Sequence, residues 1–431
     1  MKYYSLNHQA PKVSFKEAVI RGIAPDRGLY FPEKFAALPP SFFHSIATLS
    51  KTEIAFQAIS QFVAGEIPDP ELEAILSRVL DFDFPVVQLD EQTAVLELFH
   101  GPTMAFKDVG ARFMAECLGY FNRNSEEEVT ILVATSGDTG GAVANGFLGV
   151  KGVRVVILYP SGKVSEIQER QLTTLGQNIT ALEVTGTFDD CQHMVKTAFL
   201  DKEVTERRKL TSANSINVAR WLPQMFYFLF AYQHFKSSEK ELVFSVPSGN
   251  FGNICAGMVA HKLGMPCQHF IAATNVNDTV PKFMENQVYE PKPSIATISN
   301  AMDVGNPSNF VRIRELYGNK FPELSTILSS YPYDDNQTRN AMAELQEKFN
   351  YVADPHGAVG YLGLKKYQEE HPGSQGIFLE TAHPIKFLDV VKETLGVELR
   401  IPPQIEKVLH REKVALPISS YDELKEFLLN S

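Results

Sequence analysis

The residue best placed for covalent chemistry in this sequence is a lysine among apolar neighbours. Lys107 ends the stretch His-Gly-Pro-Thr-Met-Ala-Phe-Lys and precedes a helical pattern over 108–120. A poorly hydrated ammonium loses its proton more easily, which suits an amine that must attack a carbonyl carbon and form a Schiff base. The alternative is a lysine at a helix start whose stem packs on apolar residues while its ammonium reaches water. The segment by itself leaves both interpretations open.

Two glycine-rich stretches, 134–141 and 246–254, each follow a strand pattern and precede a helical pattern. Ligands of open α/β sheets gather where strands end, and small residues there let backbone N–H groups approach an anion beside a helix N-terminus. The second stretch lacks the lysine of a P-loop, and its glycines and asparagines suit a phosphate held by backbone amides. Either stretch could instead be an ordinary turn, capped in the first by Ser136 or Thr139.

Two further stretches carry polar side chains at a predicted strand end or just before a helix. The segment 212–220 supplies amides, hydroxyls and a guanidinium, and Arg220 could bind a phosphate through its planar fork. An isolated arginine is more often a surface charge. The segment 379–384 contains Thr381 and His383. His383, and His356 in a separate Asp-Pro-His-Gly segment, could be acid–base groups, but a hydrogen-bonded structural histidine is the commoner case.

The elements that must position these stretches follow an α/β pattern. Continuous apolar runs of strand length alternate with helical stretches, which predicts parallel sheets covered on both faces. The pattern forms two blocks, at about 130–215 and 240–385. Residues 1–95 carry short helical patterns broken by prolines, and we expect a helical cap or a dimer contact there. The predicted strands are 130–134, 153–159, 179–184, 242–246, 269–273 and 376–379, and the predicted helices include 140–148, 189–199 and a short terminal helix capped at 420–423.

Composition excludes several classes of protein. The length of 431 residues allows two or three domains, and a formal net charge of −11 without a basic cluster argues against nucleic acid or an anionic membrane as partner. The four cysteines form no C-x-x-C pair, so neither a zinc site nor a disulfide framework is indicated. The most apolar run, 225–232, is too short to span a membrane, and no secretory signal pattern is visible. We therefore expect a cytosolic protein.

The lysine segment resembles a known site. His-Gly-Pro-Thr-x-Ala-Phe-Lys-Asp over 100–108 is similar to the lysine segment of the fold-type II pyridoxal-phosphate enzymes, and within that group it is most similar to the threonine synthases of the longer bacterial and fungal form. The resemblance implies pyridoxal 5'-phosphate (PLP) bound to Lys107. It also implies two doubly wound α/β domains plus an N-terminal, mainly helical region. We predict the ranges 1–95 for the N-terminal region, 96–129 with 216–431 for a large PLP-binding domain, and 130–215 for a smaller domain.

The resemblance also assigns roles to the strand-end residues. Thr381 would face the pyridine nitrogen with a neutral hydroxyl, where a carboxylate would protonate that nitrogen. Asp138 replaces the asparagine found elsewhere in the group, so its role stays open. Three sets of residues are carried over by motif: Gly249, Asn250, Phe251 and Gly252 for the cofactor phosphate, Thr135, Ser136 and Thr139 for the substrate carboxylate, and Asn214, Ser215, Asn217 and Arg220 for the substrate phosphate.

The activity implied by the resemblance is conversion of O-phospho-L-homoserine and water to L-threonine and phosphate. Lys107 would also act as the general base at the substrate Cα. One alternative is a related phospho-lyase that eliminates phosphate and releases a keto acid. Another is a PLP-holding protein without turnover, which a second phosphate site around Arg220 opposes. We expect a monomer or homodimer that acts on a small molecule and binds no metal.

Overall fold

A computed structural model describes residues 1–236 and 241–430 of the chain. The chain forms two compact units: the first comprises Met1, Phe31–Phe106 and Trp221–Arg400, and the second comprises Lys2–Tyr30, Lys107–Arg220 and the chain from Ile401. The predicted division has its boundaries elsewhere, after 95, 129 and 215, and it stays a prediction about folding domains. Residue 240, where the second α/β block was expected to begin, lies outside the described residues.

The strands lie close to where continuous apolar runs predict them. The prediction is confirmed for all six predicted strands, whose residues are buried on both faces of a sheet apart from Arg154, Thr180 and Glu183. The strands of the described residues are β1 (Tyr3–Ser5), β2 (Tyr30–Pro32), β3 (Val86–Gln88), β4 (Thr93–Glu97), β5 (Val129–Ala134), β6 (Val153–Pro160), β7 (Ile179–Val184), β8 (Lys209–Ser212), β9 (Leu242–Pro247), β10 (His269–Thr274), β11 (Leu328–Pro332), β12 (Gln375–Glu380) and β13 (Leu416–Ile418).

Helices occupy most of the remaining chain. The helices of the described residues are α1 (Phe15–Arg21), α2 (Pro40–Ser45), α3 (Lys51–Val63), α4 (Asp69–Val79), α5 (Lys107–Asn122), α6 (Asp138–Phe147), α7 (Glu166–Thr173), α8 (Phe188–Leu200), α9 (Lys202–Arg207), α10 (Val218–Trp221), α11 (Met225–His234), α12 (Gly252–Lys262), α13 (Thr279–Asn286), α14 (Phe310–Leu316), α15 (Phe321–Ser325), α16 (Asp335–Phe349), α17 (Pro355–Glu370), α18 (Leu388–Leu395), α19 (Pro403–Leu409) and α20 (Tyr421–Asn430). Short 3₁₀ turns include Asn300–Met302 and Pro384–Phe387.

The first unit is built on a six-stranded sheet in the order β11-β10-β9-β12-β4-β3. Its neighbouring strands are parallel except for the antiparallel pair of β3 and β4. Helices α16 and α17 share one apolar core with this sheet. Phe228 of α11 contacts the rings of Phe244 and Phe270 in β9 and β10, so α11 packs on the sheet as well. The run 225–232 is buried all round α11, as expected for a core helix.

The second unit is built on a fully parallel five-stranded sheet in the order β13-β7-β6-β5-β8. Helices α8, α9 and α20 share a core with one face of this sheet, and α6 packs on β6. The predicted terminal helix is confirmed as α20. Its capping box is formed, since the Ser420 hydroxyl accepts the Glu423 N–H at 3.4 Å and the Glu423 carboxylate accepts the Ser420 N–H at 3.2 Å.

The N-terminal region differs from its prediction in one respect. The helices expected there are present as α1 and α3, but the range 1–95 also holds β1, β2, β3 and the start of β4. These strands were missed because each has only three to five residues, too few for a period of two to stand out. Among the described residues, no helix combines the length and the apolar character that crossing a bilayer requires.

Candidate active site

The backbone that leads into Lys107 is fixed at the end of β12. The Phe106 N–H donates to the Thr381 carbonyl at 2.8 Å, and Ala105 forms an antiparallel bridge with Ala382. Lys107 is the next residue of the chain and begins α5. The predicted cofactor lysine therefore follows directly from a segment held against the residue predicted to face the cofactor ring.

Three further contacts hold this entry segment in the first unit. The buried Lys386 ammonium donates to the Thr103 carbonyl at 3.0 Å, and the His383 N–H donates to the Met104 carbonyl at 3.1 Å. The Tyr227 hydroxyl donates to the Phe106 carbonyl, the last one before Lys107. Met104 has a φ of 58°, a left-handed conformation that is uncommon for a side chain of its size and persists only where its surroundings enforce it.

The loop after β9 has the form of an anion site. Among the described residues, the N–H groups of Gly249, Asn250 and Phe251 donate no hydrogen bond. Phe251 has a φ of 62° and directly precedes α12, so successive amides lie at the start of an eleven-residue helix. The Asn253 side chain closes the loop by donating to the Pro247 carbonyl at 2.8 Å. Unused amides beside a helix N-terminus suit a phosphate dianion, so this loop fits the phosphate of PLP.

The segment 299–309 supports this loop. The Asn309 N–H donates to the Asn250 carbonyl at 3.1 Å, and the Ser308 N–H donates to the Asn250 side-chain oxygen at 3.3 Å. A Cβ at Gly249 would lie 2.8 Å from the Met302 Cα and 2.9 Å from the Ala301 carbonyl oxygen. Because these are backbone atoms, only glycine fits at this position. Asn250 thus braces the loop through its side chain and offers its N–H to a ligand.

Thr381 lies between two titratable residues, Glu380 and His383, whose pKa values favour their neutral forms. Thr381 is 6% exposed, and within the described residues its hydroxyl makes no hydrogen bond. Burial, reinforced by the nearby Asp354, raises the pKa of Glu380 well above its ordinary range, which favours the neutral acid. Burial lowers the pKa of His383 to about 4, so its ring is neutral at pH 7. A buried, available hydroxyl without a carboxylate in its place fits a partner for an unprotonated pyridine nitrogen.

Both candidate acid–base histidines form hydrogen bonds through their rings. His383 Nδ1 accepts the Ile385 N–H at 3.0 Å and so caps the following 3₁₀ turn. His356 Nδ1 lies 2.6 Å from the Asp354 carboxylate, and its Nε2 accepts the Ala301 N–H at 3.2 Å. Both are hydrogen-bonded, with His356 buried and His383 partly buried, as in the commoner interpretation.

In the second unit, the first glycine-rich stretch joins β5 to α6. The Thr135 hydroxyl oxygen accepts the N–H groups of Gly137 and Gly140 at 2.9 and 2.8 Å, so it shapes this loop. Ser136 and Thr139 are partly exposed, and within the described residues their side chains make no hydrogen bond. The buried Asp138 carboxylate accepts a hydrogen bond from Gln168 at 3.0 Å. The hydroxyls available to a ligand are therefore those of Ser136 and Thr139.

The segment after β8 lies beside that loop, since β8 neighbours β5. Asn214 joins the two by donating to the Ala134 carbonyl at 3.3 Å. Asn217 is fully buried, and its side-chain amide donates both hydrogens, one to the Val19 carbonyl at 2.9 Å and one to the Ser212 carbonyl at 3.2 Å. This differs from the predicted phosphate contact, because Asn217 has no side-chain donor left for a ligand in this conformation.

Arg220 lies close to the helix that Lys107 begins. Its guanidinium is buried and donates to the Ala213 carbonyl. A Cβ at Gly110 would collide with the Arg220 carbonyl oxygen, so the glycine permits this close approach. Gly110 follows Lys107 by three residues of α5, about 4.5 Å along the helix axis. The second unit thus brings its one predicted phosphate-binding arginine to the N-terminal turn of α5.

Sequence reasoning missed the residues that hold the entry segment. Tyr227 lies inside the apolar run 225–232, and Lys386 follows the segment 379–384 by two residues. A buried lysine or tyrosine that donates to one backbone carbonyl has no periodic or motif signal in a single sequence. Glu380 was visible as a carboxylate directly after the predicted apolar strand 376–379, and the structure extends that strand, β12, to include it.

Comparison with known proteins gives matches along the whole chain. Residues 85–379 match the family described as "Pyridoxal-phosphate dependent enzyme", residues 2–80 match "Threonine synthase N terminus", and residues 357–428 match "Threonine synthase, C-terminal". The threonine synthase of Escherichia coli strain K12 is 42% identical over 428 residues, which cover 99% of this chain and 97% of that protein.

Two solved structures are similar over the full length. The crystal structure of threonine synthase from Escherichia coli has a TM-score of 0.94 at 41% identity and covers 100% of both chains. The structure of PLP-bound threonine synthase from Brucella melitensis has a TM-score of 0.93 at 34% identity and covers 100% of this chain and 99% of that one. The predicted fold-type II architecture is confirmed by these matches.

Proposed function

This chain belongs to the threonine synthases within the PLP-dependent enzymes, and from that membership we propose how its own residues convert O-phospho-L-homoserine and water to L-threonine and phosphate. The observation that carries the activity is the similarity to threonine synthases along the whole length, at both ends of the chain as well as in the PLP-dependent region. PLP is the cofactor. The residue assignments below are supported by the geometry of each unit.

Cofactor binding is assigned to Lys107, the loop Gly249–Gly252 and Thr381. When bound, PLP supplies a carbonyl for the Lys107 amine and an electron sink for charge that develops at the substrate Cα. The backbone amides of the loop and the N-terminus of α12 hold its phosphate. The Thr381 hydroxyl would pair with the ring nitrogen and, unlike a carboxylate, would leave it unprotonated.

Proton transfer is assigned to Lys107. Its Nζ takes the proton from the substrate Cα, and we assign it the Cβ proton as well, since both must leave on the way to the product. The γ-phosphate departs with the electrons of the Cγ–O bond. A proton is then added at Cγ, the hydroxyl of a water molecule is added at Cβ and a proton returns to Cα, so the atoms of phosphohomoserine and water are divided between threonine and phosphate.

Substrate binding is assigned to the strand-end segments of the second unit. Ser136, Thr139 and the N-terminus of α6 hold the substrate carboxylate, and Thr135 keeps their loop in shape. Asn214, Ser215 and Arg220 hold the leaving phosphate, whose charge grows as the Cγ–O bond breaks. Asn217 shapes that segment through its bonds to two carbonyls.

We propose an enzyme of the cytoplasm that acts on a small molecule. The net charge of −11 and the absence of a basic cluster in the sequence argue against nucleic acid or an anionic membrane as partner. The anionic substrate is then bound by local donors against an unfavourable overall charge. We propose a monomer or homodimer.

The activity is tested by incubating the purified protein with PLP and O-phospho-L-homoserine. We expect phosphate and L-threonine in equal amounts, measured by a phosphate assay and by amino-acid analysis of the same sample. A phospho-lyase would instead release phosphate with an equal amount of keto acid. A PLP-holding protein without turnover would release neither, and the full-length similarity does not favour that alternative.

A further inference from the structure

His356 lies in the core of the first unit with both ring nitrogens engaged. It is 3% exposed. Nδ1 lies 2.6 Å from Asp354 Oδ2, and Nε2 lies 3.2 Å from the backbone nitrogen of Ala301. Since a carboxylate can only accept and a backbone N–H can only donate, His356 donates from Nδ1 and accepts at Nε2. This fixes one neutral tautomer.

The acceptor nitrogen of His356, Nε2, binds the 3₁₀ turn that supports the phosphate loop Gly249–Gly252. Ala301 belongs to the 3₁₀ turn Asn300–Met302. This turn closes on Gly249, where backbone atoms of Ala301 and Met302 fill the space that a side chain would need. The position of Gly249 thus depends on the position of the turn, and the turn is held by the histidine.

The donor side of His356 is connected to the end of β12, which Thr381 directly follows. Asp354 is fully buried and caps α17 by accepting the Gly357 N–H at 2.7 Å. Its own N–H donates to the Glu380 carboxyl at 2.6 Å, and Glu380 directly precedes Thr381. One chain of buried hydrogen bonds therefore connects the residue before Thr381 with the turn against Gly249.

We propose that His356 is a positioning residue for the cofactor's phosphate loop: by accepting the Ala301 N–H, it holds the turn 300–302 against Gly249 and keeps the loop amides in place for the phosphate. The inference rests on the proposed function, in which the loop Gly249–Gly252 binds the phosphate of PLP. It gives His356 no contact with the substrate and no proton to transfer.

Two variants distinguish the role of the Nδ1 donor of His356 from that of its Nε2 acceptor. His356→Asn keeps a donor near Nδ1 for Asp354 but removes the acceptor for Ala301, whereas His356→Gln keeps an acceptor near Nε2 and removes the donor. Dissociation constants for PLP and for pyridoxal, which lacks the phosphate, are measured by visible absorbance. We expect His356→Asn to raise the Kd for PLP about 10-fold, the loss of one buried hydrogen bond. We expect His356→Gln to stay within about 3-fold, and pyridoxal to change less than about 2-fold in either variant.

Comparing PLP with pyridoxal distinguishes a failure of the proposed role of His356 from a failure of the loop assignment. Equal losses for PLP and pyridoxal, or equal Kd values for PLP in the two variants, would overturn the role of His356 and leave the loop assignment standing. A wild-type protein that binds pyridoxal as tightly as PLP would instead overturn the assignment of the loop itself. As a control, His269→Leu removes a buried histidine that bonds Ser329 at 3.1 Å at the start of β10, and the ratio of the two Kd values should not change.

A measurement on the wild-type protein covers the case in which neither variant folds. Amide hydrogen exchange is followed over residues 299–305 with PLP, with pyridoxal and without ligand. We expect PLP, but not pyridoxal, to slow exchange in this segment, because a phosphate on the loop amides holds Gly249 against the turn. Unchanged exchange with PLP would contradict the proposal.

Discussion

Lys107→Ala is expected to lower kcat by at least about 10³-fold, since a positioned general base alone contributes roughly 10²–10⁴-fold and the covalent bond to the cofactor is lost as well. The variant should still bind PLP weakly, because the loop Gly249–Gly252 is unchanged and lies in the other unit of the chain. Turnover is measured at saturating PLP, and cofactor content is measured separately, so that loss of chemistry is distinguished from loss of cofactor.

The assignment of Lys107 has a direct chemical control. Borohydride reduction of the wild-type holoenzyme should remove the visible absorbance and label one peptide, the one containing Lys107. Lys151→Ala, a change at an exposed lysine of the same unit, should leave kcat and labelling as in wild type. Labelling at any other lysine would show that the cofactor is bound elsewhere.

Arg220→Ala is expected to lower kcat/KM for phosphohomoserine by about 10²–10³-fold, the effect of removing one charged donor from a leaving oxyanion. PLP content should stay near wild type, because the cofactor phosphate is assigned to different residues. Binding of L-threonine, which has no phosphate, should also be unchanged. Arg220→Lys should recover only part of the loss, since a point charge does not reproduce the two-donor geometry of a guanidinium.

The burial of Arg220 makes a stability control necessary. Its guanidinium bonds the Ala213 carbonyl, and leaving that acceptor without a partner costs about 1–3 kcal/mol. The unfolding midpoint of each variant is therefore measured, and each variant is assayed at a temperature below it. Arg154→Ala removes a partly buried arginine from β6 of the same unit, and its kcat/KM should equal wild type. An Arg220→Ala protein that loses PLP and regains activity when PLP is added would show that the two phosphate sites are interchanged.

Much of the sheet architecture was predictable, because burial on both faces leaves an uninterrupted apolar run. The runs that became β5, β6, β9, β10 and β12 are largely of this kind, whereas the run of β7 is interrupted by the partly exposed Thr180 and Glu183. β8 and β11 were missed. They are edge strands of their sheets, and they carry the polar residues that an edge permits, such as Lys209 and Ser329. The sheet order and the boundaries of the two units depend on contacts between distant parts of the chain, which one sequence does not record.

The candidate site was predictable at the level of segments and less so at the level of side chains. Motifs pointed to the loop before α12, and the structure explains why its glycines and left-handed Phe251 leave amides available. The motifs could not show that the Asn217 side chain donates to the carbonyl of Val19, a residue far away in sequence. The partners of His356 were equally hidden, since Ala301 lies 55 positions before it. Long-range hydrogen bonds decide which polar residues of a motif remain available to a ligand.

The most direct test of the account is the fate of oxygen-18 when the holoenzyme turns over phosphohomoserine in labelled water. Elimination at Cγ followed by water addition at Cβ predicts L-threonine with one oxygen-18 in its hydroxyl group and phosphate without label, both read by mass spectrometry. Labelled phosphate with homoserine would reveal cleavage of the P–O bond, the reaction of a phosphatase. Unlabelled phosphate with a keto acid would reveal a lyase that does not add water at Cβ. Either result would contradict the assignment of this chain's residues to threonine synthesis.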